Sequence, residues 1–243
     1  MKKIFIVIFF VFILFIGTDA YAQGKKKIRI TYRSAKNLVK KIKENPNAET
    51  LYLFRNGLDS LPEEIGELKK LKKLVVSSNR LVYVPPVIGE LTNLEKISFK
   101  HNRIKALPPE IGNLKKLETL TLDYNQLEEL PETICDLPKL EYLSITNNRI
   151  YYLPQNFGRL QGLRFLYIGT NRLIKLPLSI AELKNLVELN IAGSGPMLIL
   201  PDMHDCRKLE RLYIDRTTLF DMSFDPRMIP RLEVIMVEVS ASR

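Results

Sequence analysis

Leucine returns along this chain at a fixed interval. Leu71, Leu94, Leu117, Leu140, Leu163, Leu186, Leu209 and Leu232 are spaced 23 residues apart, with Ala48 in the same phase before them. The stretch between two such positions has a constant hydrophobic pattern. LEKISFKHNRIKALPPEIGNLKK, from Leu94 to Lys116, is representative, and the general form is L-x-x-L-x-L-x-x-N-x-L-x-x-L-P-x-x-I-G-x-L-x-x. The alternation around Leu120 and Leu122 predicts a short strand with one buried face. A single unit of this length cannot bury that face, so neighbours must stack around one continuous core. Strands in register then form a parallel sheet that advances roughly 4.8 Å per unit.

The polar positions complete the coil. Asn56, Asn79, Asn102, Asn125, Asn148 and Asn171 follow the strands. The turn there directs backbone N–H and C=O groups inward, and a buried amide can satisfy both kinds of group. Leaving one orphaned would cost roughly 1–3 kcal/mol, which makes the asparagines a structural ladder rather than catalytic groups. The pairs Leu61-Pro62, Leu107-Pro108, Leu130-Pro131, Leu153-Pro154 and Leu176-Pro177 then begin the return path. Proline lacks an N–H and fixes φ, so this side cannot extend the sheet and should run as extended chain or short helical turns. Tighter packing on the strand side curves the stack, and the sheet lines the concave face.

Over about residues 48–239 this pattern resembles the leucine-rich-repeat family in its 23-residue form. The resemblance implies an α/β repeat solenoid, a horseshoe with a parallel sheet on the concave face and an irregular or short-helical convex side. It also implies a non-enzymatic recognition module, commonly for protein, although the fold does not choose a partner.

The two ends depart from the repeat. Lys2 and Lys3 precede the apolar run Ile4 to Gly17, and Ala20-Tyr21-Ala22 is the small-x-small pattern that a signal peptidase accepts. Residues 1–22 are therefore read as a signal peptide cleaved to leave Gln23 first, with an uncleaved anchor as the rival reading. Fourteen apolar residues make a helix of roughly 21 Å, short of a roughly 30 Å hydrocarbon core. Residues 23–47 are read as a basic N-terminal cap: a strand in Ile28 to Tyr32, then a helix with Ser34 as N-cap. Its apolar stripe is Ala35, Leu38, Val39 and Ile42, and Pro46 ends it. At the other end the array is irregular after 186. Ser194 and Thr217 replace the ladder asparagine, Pro201 comes one residue late, and Phe220 to Pro230 lacks the Leu-Pro return. The 23-residue phase recovers at Leu232, whose LEVIMVEV predicts a last strand, and 240–243 form a tail. That strand leaves an apolar edge; partner docking, self-association or fold-back of 220–230 could each cover it.

Charge and candidate chemistry narrow the function. The formal charge of +10 is concentrated in 25–47, which hold nine basic side chains against Glu44 alone. That segment, chiefly 25–43, could attract an anionic lipid or polymer, the basis of an alternative reading as a surface or adhesion protein anchored in the envelope. Nucleic acid is not expected as a partner of an exported protein. Cys135 and Cys206 are the only cysteines and no Asn-x-Ser/Thr site occurs. Extracellular eukaryotic relatives commonly carry cysteine-rich caps and glycans, so a bacterial periplasmic, cell-surface or secreted location is expected. The two cysteines lie three repeats apart, roughly 14 Å along the stack, too far for a disulfide. Cys206 occupies a core leucine position and is read as a small hydrophobe. Of the two histidines, His101 lies on a turn beside Asn102 and His204 has no metal-binding context. No phosphate loop, zinc-protease or nucleophile-elbow motif is present. No enzyme, metal, cofactor or small-molecule substrate is expected. Arg80, Arg103, Arg149 and Arg172 form a stripe along one edge, read as a solvated rim.

Recognition then falls to the third, fifth and seventh positions of each repeat, which face outward from the sheet, and to the eighth at its rim. Large aromatics there are informative, because solubility disfavours them. Tyr142, Phe165 and Tyr167 fall on adjacent strands, with Tyr124 at the rim and Arg211 and Tyr213 two repeats on. Aromatics and arginine dominate interface hot spots. These six residues are the expected partner-binding set, centred on the repeats beginning at Leu140 and Leu163.

Overall fold

A computed structural model describes residues 27–29, 37–195 and 198–238. The leader expected over 1–22, the cap residues Ser34 and Ala35, and the tail lie outside them. The dominant element is one ten-stranded parallel sheet of very short strands. These are β1 (Lys27–Arg29), β2 (Thr50–Tyr52), β3 (Lys73–Val75), β4 (Lys96–Ser98), β5 (Thr119–Thr121), β6 (Tyr142–Ser144), β7 (Phe165–Tyr167), β8 (Glu188–Asn190), β10 (Arg211–Ile214) and β12 (Glu233–Met236). Two further strands, β9 (Ile199–Leu200) and β11 (Leu219–Phe220), pair with each other in a separate two-stranded sheet. Helix α1 (Leu38–Glu44) turns Leu38 and Ile42 into the core at the N-terminal end.

The register follows from the repeat. Leu74 pairs with Ile97, and Ile97 with Leu120, so the fourth positions stack one above another, each almost fully buried. The first, sixth, eleventh and twenty-first positions join them, giving a single apolar core along the whole solenoid. On the return side the prolines do what their geometry dictates. Pro108 is extended, with φ −70° and ψ 146°, and leads into a 3-10 helix at Pro109–Asn113. Similar turns occupy Pro86–Glu90 and Glu132–Asp136.

The ladder hydrogen bonds run between coils. Asn125 Nδ2 donates to the carbonyls of Phe99 and Leu122 at 3.0 and 2.9 Å, and its Oδ1 accepts from the Ile104 N–H at 3.0 Å. Asn102 and Asn148 repeat the arrangement one coil away on either side. Asn79 Oδ1 accepts from the N–H groups of Asn56 and Leu58, and Asn171 bridges Ile150, Ile145 and Ile168. Where Ser194 stands in place of asparagine, its hydroxyl donates to the Ile168 carbonyl, but the Leu173 N–H bonds to the Ser194 backbone carbonyl instead. A hydroxyl has one proton to donate and a shorter reach, so the backbone itself supplies the second half of the bridge.

Two sequence expectations are corrected. The last strand does not keep the 23-residue phase: Leu212 pairs with Val234 and Ile214 with Met236, a 22-residue offset. The aberrant segment before it lacks the Leu-Pro return and instead sends Phe224 and Ile229 into the core, shortening the coil by one residue. In addition, the fifth-position residues Ser98, Thr121 and Ser144 point to the concave side but are buried. Small side chains on a curved sheet are shaded by their longer neighbours. Ser98 and Thr121 satisfy their hydroxyls within a chain running from Ser77 Oγ to Ser98 Oγ at 2.8 Å and from Thr121 Oγ1 to Ser98 Oγ at 2.9 Å.

Candidate functional site

The concave face is built from strand residues whose order is set by the register. Tyr142 on β6 lies opposite Phe165 on β7, and their ring centroids are 6.2 Å apart. Tyr167, two residues beyond Phe165, brings its ring to 5.3 Å from Tyr142. Tilted rings at these separations are a favourable aromatic arrangement. All three are half-buried, so they stand on the sheet rather than in the core. The Arg164 guanidinium lies 5.4 Å from the Phe165 ring centroid.

A carboxylate on the next strand secures Tyr167. Glu188 on β8 is only 7% exposed. It accepts from the Tyr167 hydroxyl at 2.8 Å and from Arg211 Nε at 2.7 Å, with Arg211 Nη2 at 2.6 Å. Such charge-assisted bonds are short and strong, and they fix the two side chains that flank the carboxylate. Burial, followed by the Glu188 hydrogen bond and charge, pushes the Tyr167 phenol far above its ordinary range. Burial and the charge of Asp123 push Tyr142 up to about 12. Both hydroxyls are therefore neutral donors or acceptors at physiological pH.

The remaining expected residues are distributed around this centre. Tyr213 is half-exposed on β10, with Asn190 between it and Tyr167 in the register. Tyr124 occupies the rim, 51% exposed, and stacks on His101 with ring centroids 4.3 Å apart. Both of these rim residues have left-handed backbones, φ 57° and 54°. The same turn recurs at Arg55, Ser78, Asn147 and Thr170, and it swings the eighth side chain of each repeat out of the sheet. Sequence reasoning placed Glu188 among the outward third positions but missed its bonds to Tyr167 and Arg211, and it missed the stacking of His101 on Tyr124. The available signal was the spacing: Glu188 is 21 residues beyond Tyr167 and 23 before Arg211, hence on the strand between them.

Nearer the N-terminus the floor is hydroxylic and one ion pair is internal. Asp123 is buried, bonded to the Ser144 hydroxyl and the Thr146 N–H, and lies 2.6 Å from Lys100 Nζ. Among the described residues no group of three or more histidine, cysteine or acidic side chains could hold a metal, and no helix is long and apolar enough to cross a membrane. Both cysteines are buried and unpaired.

Comparison with known proteins agrees with this architecture. The family profile for the leucine-rich repeat matches residues 92–150. A search of curated proteins gives no match. Among solved structures, the ectodomain of the plant membrane receptor kinase GASSHO1/SCHENGEN3 from Arabidopsis thaliana, in complex with CASPARIAN STRIP INTEGRITY FACTOR 2, is 28% identical with a TM-score of 0.63. That alignment covers 77% of this chain and 24% of the ectodomain. The leucine-rich effector YopM of Yersinia pestis is 24% identical with a TM-score of 0.59, covering 79% of this chain and 51% of YopM. An internalin of Listeria monocytogenes is 19% identical with a TM-score of 0.53, covering 79% of this chain and 62% of the internalin. The chain thus spans about a quarter of the receptor ectodomain, about half of YopM and just under two thirds of the internalin. It has the horseshoe solenoid fold of leucine-rich-repeat proteins, which are generally protein-interaction modules.

Proposed function

We propose that this chain is an exported, non-enzymatic module that recognises a protein partner on its concave face. The observation that carries the reading is the aromatic group Tyr142, Phe165 and Tyr167, in which the Tyr167 hydroxyl and the neighbouring Arg211 both bond to the buried Glu188 carboxylate. Rigid, half-buried aromatics and an oriented guanidinium lose little side-chain freedom on binding, the property of interface hot spots. Tyr124 and Tyr213 extend the footprint. The similar plant ectodomain was solved in complex with CASPARIAN STRIP INTEGRITY FACTOR 2, which is in keeping with such use. Export is supported by the leader Lys2 to Ala22 and its small-x-small end.

The test is photocrosslinking capture from the native host with the wild-type chain and with Phe165→Ala/Tyr167→Ala. The double variant is expected to lose the captured partner while keeping its circular-dichroism spectrum and melting cooperativity. Undiminished capture by a folded double variant refutes the proposed centre.

A further inference from the structure

The concave face has an electrostatic polarity that the aromatic centre does not explain. On β1 to β4 the outward third and fifth positions carry Lys27, Arg29, Lys73 and Lys96, and no carboxylate. On β8 to β12 the same positions carry Glu188, Glu233 and Arg211. Lys73 and Lys96 are register partners on adjacent strands. Like charges placed directly opposite each other destabilise a sheet. Lys27 and Lys73 further converge on one ring, lying 4.9 and 5.4 Å from the Tyr52 centroid.

Resting on the recognition reading above, we infer that the partner presents an extended polypeptide segment with acidic side chains over β1 to β4 and an apolar or aromatic anchor over β6 and β7. Three adjacent-strand steps separate Lys96 from Phe165 and four separate Lys73 from it, roughly 14 to 19 Å at one strand spacing each. Extended chain covers that distance in about four to six residues at roughly 3.3 Å per residue. The intervening floor of Ser98, Thr121 and Ser144 is low enough for a main chain to cross. Charge complementarity sets the direction of the segment, since reversal would take its acids away from the cations of β1 to β4 and set them toward Glu233.

Selection of random dodecapeptides displayed on phage tests the inference, run in parallel on the wild-type protein, Lys73→Glu/Lys96→Glu and Phe165→Ala/Tyr167→Ala. The wild-type pool is expected to enrich Asp and Glu in one half of the peptide, with an aliphatic or aromatic residue four to six positions away. The charge-reversed variant should lose the acidic bias but retain the anchor. It should bind the best wild-type peptide about tenfold more weakly at low ionic strength, with a smaller difference at high salt. The aromatic variant should lose the anchor. A pool without acidic bias, or with a bias indifferent to the two lysines, overturns the inference. If its anchor still depends on Phe165 and Tyr167, the recognition reading survives. Failure to enrich any peptide overturns both. If the pools lack acidic bias while phosphatidylglycerol vesicles bind the protein through Lys73 and Lys96, the cations serve a membrane and the inference falls.

Discussion

Each ladder asparagine serves two coils at once, and this makes its removal disproportionately damaging. Asn125→Ala would orphan the Ile104 N–H and withdraw the donor from the Phe99 and Leu122 carbonyls, all inside the solenoid. Denaturant unfolding is expected to show a loss of about 2–4 kcal/mol, since each orphaned buried group costs roughly 1–3 kcal/mol. Asn125→Ser should lose less, because Ser194 shows that a hydroxyl can keep the carbonyl half of the bridge. A loss well below about 1 kcal/mol for the alanine variant would contradict the ladder account. The role of these asparagines was legible in the sequence, because burial at a turn and an amide's dual capacity together admit few alternatives. The solution at Ser194 was not, since it depends on the path of the Leu173 backbone.

Glu188 acts at the same scale on the candidate site. Its negative charge and its bond from the Tyr167 hydroxyl both favour the neutral phenol. Glu188→Gln should therefore lower the pKa of Tyr167, although burial keeps it above its ordinary value; ring-labelled tyrosine NMR reads this directly. An unchanged titration would mean that Glu188 does not hold Tyr167. The sign for stability follows by linkage. Tyr142 and Tyr167 titrate higher folded than unfolded, so the native state binds more protons in the alkaline range. Their stabilising contribution is complete below the unfolded value near 10 and is lost as pH rises through the folded value, about 12 for Tyr142.

At the scale of elements, several return turns pack so closely that no Cβ fits where one coil meets the next. A Cβ on Gly112 would lie 2.5 Å from the Thr133 carbonyl oxygen and 2.7 Å from Thr133 Cβ. Backbone cannot move aside as a flexible side chain would, so Gly112→Ala should destabilise the protein by about 1–3 kcal/mol in thermal or chemical unfolding. A neutral effect would show that the turns are looser than described. The sequence itself places Cys135 at the equivalent position one repeat on, where the following 3-10 helix is shortened to Phe157–Arg159. Strand positions and core leucines were readable from the 23-residue phase because the period is a covalent property of the coil. The slip at β12 escaped it. Leu232 matches the phase by identity, but pairing obeys the length of the preceding coil, and that coil buries Phe224 and Ile229 instead of a Leu-Pro corner. The burial of Ser98 and Thr121 escaped for a related reason, since alternation reports which face a side chain takes and curvature decides whether water reaches it.

In the whole molecule, stability is shared only between neighbouring coils, so the two ends need not be equally firm. Helix α1 closes the first coil with Leu38 and Ile42. The last coil shows the opposite condition. Val234 and Met236, in register with the buried Leu212 and Ile214, are 37% and 56% exposed, and Leu219, Phe220 and Met228 are also open on this coil. Since apolar burial is worth roughly 25 cal/mol per Å² removed from water, β12 gains much less by docking than an interior strand does. Opening of β12 leaves the remaining interfaces intact, and it should therefore occur without global unfolding. Native-state hydrogen exchange is expected to grade along the solenoid, with amides of β4 to β7 exchanging only through global unfolding and those of β12 several orders of magnitude faster. Substituting Val234→Ser should leave the central amides unchanged, because a local opening reports only on its own coil. If β12 amides instead exchange with the central strands, the terminal coil is cooperative with the array and the nearest-neighbour account of this solenoid fails.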